Sequence, residues 1–202
     1  QVSTFTSYDS DIPPDGIDDS FFGNFINAGD ATLAGLEVEF DWKARNADWF
    51  GMTGNLSWLD ADPDSFLDEN GDTFVDTQVI TNAPEITGSI NLNFYRRAWG
   101  GLFTGSVGYA YRDDSVLTNE GGEDPLNPGQ PLMPLVQPSF SMVNARVGWI
   151  SREGTWGISV NGKNLTDEEY LTNGYNLPVL GVFQGSYGQP LTVTATLEYN
   201  FF

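Results

Sequence analysis

The sequence predicts an all-β protein, an antiparallel up-and-down transmembrane β-barrel with long loops at one end and short turns at the other. Three observations predict it. Apolar and polar residues alternate in eight separate runs, the connections between runs alternate short and long, and charge separates according to connection length. Period-two alternation marks a strand with one apolar face. Strict alternation of turn and loop marks a barrel whose two ends face different media.

The first run, Val2 to Tyr8, is fragmentary; the second is the clearest. In it Leu36, Val38, Phe40 and Trp42 alternate with Glu37, Glu39, Asp41 and Lys43. The third sets Phe50, Met52, Leu56 and Trp58 against Thr53, Asn55 and Ser57, and the fourth sets Ile86, Ile90, Leu92 and Phe94 against Thr87, Ser89, Asn91 and Asn93. Phe103, Val107, Tyr109 and Tyr111 alternate with Thr104, Ser106 and Arg112 in the fifth. The sixth pairs Val143, Ala145, Val147 and Trp149 with Asn144, Arg146 and Gly148, and the seventh pairs Trp156, Ile158 and Val160 with Ser159, Asn161 and Lys163. The eighth closes the chain: Leu191, Val193, Ala195, Leu197, Tyr199 and Phe201 on one face, Thr192, Thr194, Thr196, Glu198 and Asn200 on the other. No stretch has the pattern of a helix.

Short turns join the second and third runs ("KARNADW"), the fourth and fifth ("RRAWG") and the sixth and seventh ("SREGT"). The remaining connections, 9–30, 60–84, 113–138 and 165–189, are expected as long loops, and such lengths are uncommon in compact soluble domains. Of the 28 acids, 21 fall in these four loops, whereas Lys43, Arg45, Arg96, Arg97 and Arg152, five of the eight cations, sit at the short turns. Parity then carries the last strand to the short-turn side, which is periplasmic in bacterial outer-membrane barrels. Trp42, Trp49, Phe94, Trp99, Trp149 and Trp156 flank the short turns, and Trp58, Tyr109 and Tyr111 approach the long-loop ends. Two such belts suit a bilayer, whose interfaces favour Trp and Tyr; the competing account is a β-sandwich with an aromatic core.

Composition narrows function. Eight cations against 28 acids give a net charge of −20, which argues against nucleic acid and against an anionic membrane surface, both of which select basic patches. Cysteine and histidine are absent, which removes disulfides, thiolate metal sites and histidine-based nucleophile pairs. The lack of cysteine suits a protein that crosses an oxidising periplasm. The first residues, "QVSTFTSYDSD", carry neither the basic region nor the apolar core of a signal peptide. No run of roughly 18 apolar residues occurs, which excludes a transmembrane helix but leaves a barrel open.

Five blocks in order, "INAGDATLAGLEVEF", "APEITGSINLNF", "SMVNARVGW", "VNGKNLTDEEY" and the terminal "LEYNFF", resemble the C-terminal barrel of TonB-dependent outer-membrane receptors. The resemblance covers most of the chain from Ile26 onward, and its most specific piece is "NLTDEEY", Asn164 to Tyr170. It implies that residues 1–202 are about eight C-terminal strands of a barrel of about 22 strands. The plug domain, the energy-coupling box and the earlier strands would then lie outside this chain. It further implies a place in the bacterial cell outer membrane and uptake of a scarce nutrient: siderophore-bound iron, cobalamin or an oligosaccharide. The implied partners are outer-membrane lipid and lipopolysaccharide, the TonB energy-coupling complex reached through the plug, and the barrel assembly machinery. No enzymatic activity and no nucleic-acid partner are expected.

Two alternatives compete: a complete small eight-stranded barrel serving adhesion or envelope structure, and a secreted calcium-binding β-protein. The charges expected to face the lumen, Glu37, Glu39, Asp41, Arg146, Lys163 and Glu198, favour the larger barrel. A narrow lumen would have to pair them all, whereas a wide one solvates them.

Three candidate sites emerge. In "DENGDTFVD", Asp68, Asn70, Asp72 and Asp76 are spaced like the first half of an EF-hand calcium loop, although Thr73 replaces the glycine and Val79 the bidentate acid. A solvated acidic loop is the plainer reading. Carboxylates that share a face or adjoin, Glu37 with Glu39 and Glu168 with Glu169, lack an acid partner on a second strand and are expected to be solvated charge rather than a glycosidase pair. "GSYGQP" and "EGGEDPLNPGQP" are expected as turn clusters, not phosphate cradles. The terminal aromatics Tyr199, Phe201 and Phe202 resemble the assembly signal of outer-membrane barrels, with Phe201 in phase and Phe202 one step out. The long acidic loops suit capture of a cationic or metal-bearing ligand, or divalent cations bridging to lipopolysaccharide phosphates.

Overall fold

The computed structural model describes residues 2–7, 23–67, 73–74, 80–118, 134–177 and 182–201. These contain thirteen strands and no helix: β1 (Val2–Ser7), β2 (Gly23–Lys43), β3 (Phe50–Leu67), β4 (Thr73–Phe74), β5 (Ile86–Ala98), β6 (Gly101–Arg112), β7 (Ser115–Thr118), β8 (Leu135–Gln137), β9 (Phe140–Ser151), β10 (Trp156–Lys163), β11 (Leu171–Leu177), β12 (Val182–Tyr187) and β13 (Thr192–Tyr199). Eight of them form one antiparallel meander in chain order, β1-β2-β3-β5-β6-β9-β10-β13, with β4 folded back on β3. These are the eight expected strands. Among the described residues the sheet is open: β1 and β13 stand at its two ends and do not pair.

Register places every alternating run in phase with its neighbours. Val38 pairs with Leu56, Phe50 with Phe94, Ile90 with Tyr109, Val107 with Ala145, Val147 with Val160, and Ile158 with Leu197. The polar residues match likewise: Glu39 with Asn55, Thr53 with Asn91, Ser106 with Arg146, and Asn161 with Thr194. One face is therefore continuously apolar and the other continuously polar, because a single-residue slip in any strand would exchange its faces. The apolar face covers nothing. Leu36 is 65% exposed and Leu197 70%, and Leu117 is the only buried hydrophobic side chain among the described residues. A water-soluble sheet of this size would bury that face against a second layer; a barrel wall turns it to lipid. β6, at 12 residues, is ~40 Å long, which at a tilt of about 45° spans the apolar band of about 25 Å.

The long connections are more ordered than the sequence suggests. β2 starts at Gly23 and β3 continues to Leu67, so a two-stranded ribbon rises beyond the belt where loops were expected. Strand pairing needs only backbone groups, and it continues although the outward face turns acidic at Asp60 and Asp62, which pair with Ala34 and Thr32. Pro63 offers no N–H to this ladder, and the register shifts opposite it between Asp30 and Ala31, as a strand proline demands. The next two loops each hold a hairpin, β7 with β8 and β11 with β12. The "GSYGQP" segment is thus only half a turn: Gly185 to Tyr187 belong to β12. Its glycines tolerate extended backbone, and cross-strand hydrogen bonds outweigh their turn preference.

The short turns are built as expected. Trp99 and Gly100 form a two-residue turn with φ of +50° and +70°, closed by the Ala98–Gly101 pair. Both positions are left-handed, the requirement of the hairpin turn whose twist matches the flanking strands. The next turn is tied to it: Arg152 donates its backbone N–H to the Gly100 carbonyl at 2.9 Å.

Candidate functional site: the inner wall and the mouth

On the polar face, β2 contributes Glu39 and Asp41, β3 contributes Thr53 and Asn55, and β5 contributes Ser89 and Asn91. Together they line a shallow depression of about 500 Å³. The Ser89 hydroxyl donates to Asn55 Oδ1 at 2.5 Å. A second depression of about 440 Å³ shares Asn91 and continues over Ser106, Asn144, Arg146, Asn161 and Lys163 to Tyr170 and Gln189. Along the two depressions charge is divided: Glu39 and Asp41 stand on β2, Arg146 and Lys163 on β9 and β10, and neutral amides and hydroxyls lie between. Glu37 and Glu39 face Ser57 and Asn55 across the ladder, with no carboxylate opposite, so the acid-plus-partner arrangement of a glycosidase is not assembled.

At the upper end of β10 the chain turns on Asn164. Its side chain is 2% exposed and satisfied on both sides. Nδ2 donates to the Glu168 carbonyl at 2.9 Å and to the Gln189 carbonyl at 3.0 Å, while Oδ1 accepts from the Glu168 N–H at 2.9 Å and the Thr166 hydroxyl at 3.3 Å. Its own N–H donates to Asn144 Oδ1 on β9 at 2.9 Å. Asn164 and Asp167 both adopt positive φ, +48° and +51°, a conformation that Asn and Asp tolerate best among non-glycine residues. Asp167 Oδ1 accepts the Leu191 N–H at 3.2 Å, and Tyr170 stacks on Phe140 at 4.6 Å. The motif "NLTDEEY" thus ties β9, β10 and the start of β13 together below the β11–β12 hairpin.

Above this knot the two outer hairpins meet. The Leu171 N–H donates to Gln137 Oε1 at 2.5 Å, and Gln137 Nε2 donates to the Pro138 carbonyl at 2.7 Å. Leu117, Ser115, Thr118 and Gln137 are all buried, and Leu135 lies against Gly174, where a side chain would collide with it. Sequence reasoning found the motif but not its work. An asparagine closing a strand, with Thr and Asp in the next three positions, is the signal that was available, since such residues cap turns with their own side chains.

The expected assembly residues are partly in view. Tyr199 packs on Trp156 at 4.5 Å and on Phe201 at 4.6 Å, so Phe201 continues the apolar face; Phe202 lies outside the described residues. So do Asp68, Asn70, Asp72 and Asp76; on either side of the first three, Leu67 pairs with Thr73 and Phe66 with Phe74. Among the described residues no cluster of three metal-ligating side chains occurs. The aromatic belt is as expected at the short-turn end. Phe50 packs on Trp42 at 5.9 Å and on Phe94 at 5.2 Å, and Phe103 packs on Trp99 at 5.0 Å and on Trp149 at 6.5 Å. At the other end, Trp58 Nε1 donates to Glu85 Oε1 at 3.2 Å and the Tyr111 hydroxyl donates to Asp113 at 3.1 Å.

Comparison with known proteins gives the same architecture. The structure is similar to the ferric yersiniabactin uptake receptor FyuA from Yersinia pestis, with a TM-score of 0.68 and 20% identity over 89% of this chain and 25% of that one. It is similar to FpvA of P. aeruginosa, solved bound to heterologous pyoverdines (TM-score 0.62, 15% identity, 98% of this chain and 23% of that one). A third is the siderophore receptor PiuA from Acinetobacter baumannii (TM-score 0.58, 15% identity, 87% and 22%). The chain therefore spans about a quarter of the length of these structures. At such identities the likeness shows the fold. A family model described as TonB dependent receptor-like, beta-barrel, matches residues 2–165. The match, the eight-strand meander and its two opposed faces lead to one conclusion: the chain belongs to the TonB-dependent receptor-like β-barrel family.

Proposed function

We propose that this chain forms the C-terminal part of the barrel wall of an outer-membrane receptor that takes up a siderophore–iron complex by TonB-dependent active transport. The observation that carries the reading is an apolar face that runs across the middle of the wall from β2 to β13, backed by a charged polar face, in a family whose members are bacterial outer-membrane proteins. A secreted soluble protein would leave that apolar face in water, at a cost of about 1.5–3 kcal/mol for each large side chain. A complete eight-stranded barrel would pair β13 with β1, and among the described residues these strands do not pair. Of the similar structures, one is a ferric yersiniabactin uptake receptor, one a siderophore receptor and one FpvA bound to pyoverdines in an iron complex, which supports iron chelates over cobalamin and oligosaccharides. The terminal strand, with Phe201 in phase, is the segment the barrel assembly machinery would read, and the wall's polar face is where a plug would lie.

The test is uptake by cells. A strain lacking the receptor that contains this chain should lose transport of labelled ferric siderophore under iron limitation, and removal of TonB should give the same loss. Transport of cobalamin or an oligosaccharide instead, with ferric siderophore uptake intact, replaces the ligand class. Absence of the protein from the outer-membrane fraction overturns the whole reading.

A further inference from the structure

A receptor wall of this kind does not by itself account for the chemistry of the short-turn rim. Arg96 stands on the apolar face, in a register row with Phe103, Trp149, Ile158 and Leu197. An outward arginine is costly at the centre of a bilayer and nearly neutral at its edge, which favours headgroup level for Arg96. Trp99, 84% exposed, projects from the adjoining turn, and the hydrogen bond from the Arg152 N–H to the Gly100 carbonyl sets Arg152 beside it. One hairpin away, Arg45 shares a turn with Trp49, which is 53% exposed and stacks on Phe94 at 6.4 Å. The three short turns and the last three residues of the strands that flank them carry five cations against the three carboxylates Asp41, Asp48 and Glu153, a net excess of two, with Asp41, Lys43 and Arg97 on the polar face. The opposite rim carries the reverse sign, with Asp60, Asp62, Glu85 and Asp113 at its edge.

We propose that this rim binds anionic phospholipid of the periplasmic leaflet. The rings of Trp49 and Trp99 lie at the boundary between acyl chains and headgroups, and Arg45, Arg96 and Arg152 receive the phosphates. The inference rests on the outer-membrane reading. Guanidinium groups match phosphate oxygens in two parallel hydrogen bonds, and aromatic rings hold an interface because one edge is apolar and the other polar. The chain's strongly negative total charge conceals this surface, because the excess of acids lies at the other rim.

The experiment uses the full-length receptor that contains this chain, reconstituted in vesicles of phosphatidylethanolamine and phosphatidylglycerol. Lipids retained after detergent extraction are then counted by mass spectrometry. The wild type should retain phosphatidylglycerol over phosphatidylethanolamine by roughly fivefold relative to the bulk mixture. The R45Q/R96Q/R152Q variant should fall to the bulk ratio, with heat-modifiable gel migration confirming its barrel. R96K, which keeps the charge, and D60N/D62N at the opposite rim should both retain the preference. Bulk-ratio retention by the wild type, or an unchanged preference in the triple variant, overturns the proposal and leaves the receptor reading standing. Failure of the wild type to insert overturns both.

Discussion

Phe40 lies over Gly54 on the neighbouring strand, so closely that a Cβ at residue 54 would stand 2.6 Å from the ring. The two residues are register partners on the apolar face, and the glycine leaves room both for the ring and for the Ser89 carbonyl, 2.5 Å from the same point. Gly54→Val should therefore force Phe40 out of its seat and destabilise the wall by about 1–3 kcal/mol. The midpoint of the heat-induced gel shift measures it. A double variant with Phe40→Ala should regain part of the loss, and an unchanged midpoint in Gly54→Val would remove the steric account.

Asn164 offers a second test. Asn164→Ala leaves the Glu168 N–H and the Gln189 carbonyl without their partner, and a buried polar group left unpaired costs about 1–3 kcal/mol. Asn164→Asp keeps the acceptor for Glu168 but sets a buried carboxylate oxygen against the Glu168 and Gln189 carbonyls, and should cost at least as much as Asn164→Ala. Hydrogen exchange at the Glu168 amide, with proteolysis of the 165–189 segment, should rank the three proteins in that order.

Adjacent residues on β9 face opposite media, which gives a sharp contrast. Ala145→Arg puts a charge among Val107 and Gly162 on the lipid face and should cost about 2–4 kcal/mol near the bilayer midplane. Arg146→Val, on the polar face beside Asn161, should leave folding in lipid within about 1 kcal/mol of the wild type. Urea titration in lipid vesicles reads both values. Equal costs would mean that the faces are assigned wrongly.

The chain terminus separates two candidate assembly residues. Phe201 is in contact with Tyr199, which makes it the aromatic in phase. Deleting Phe202 alone should leave surface assembly near the wild-type level, and deleting Phe201 and Phe202 together should reduce it severalfold. Immunodetection of folded receptor at the cell surface distinguishes them; a full loss on removing Phe202 would transfer the signal to that residue.

For the acidic segment, the plainer reading of a solvated loop expects no calcium heat in calorimetric titration of the intact receptor, and a heat that disappears in Asp68→Ala/Asp72→Ala would replace it with a calcium site. A titration without heat disposes of the EF-hand resemblance.

Much of the wall was legible because period two is set by backbone geometry. Leu36, Val38, Phe40 and Trp42 share a face in any strand, and the short turns "RRAWG" and "SREGT" left no choice of partner. The upper parts were less legible. At Asp60 the outward residues change from apolar to acidic, so an apolarity pattern stops there while the backbone ladder continues to Leu67. The hairpins β7–β8 and β11–β12 are too short to show a clear period of two, and their order depends on Gln137 meeting Leu171 far along the chain. The role of Asn164 escaped for the same reason: its partners Asn144 and Gln189 lie 20 and 25 residues away and become neighbours only after folding.

The knot at Asn164 has an evolutionary consequence. A single amide, closed on main-chain groups at Glu168 and Gln189, joins the ends of everything between them. The segment it encloses can be lengthened, shortened or exchanged without altering the ladder below, because main-chain groups are common to every sequence. A mouth anchored this way can acquire new specificities while the wall beneath it stays fixed.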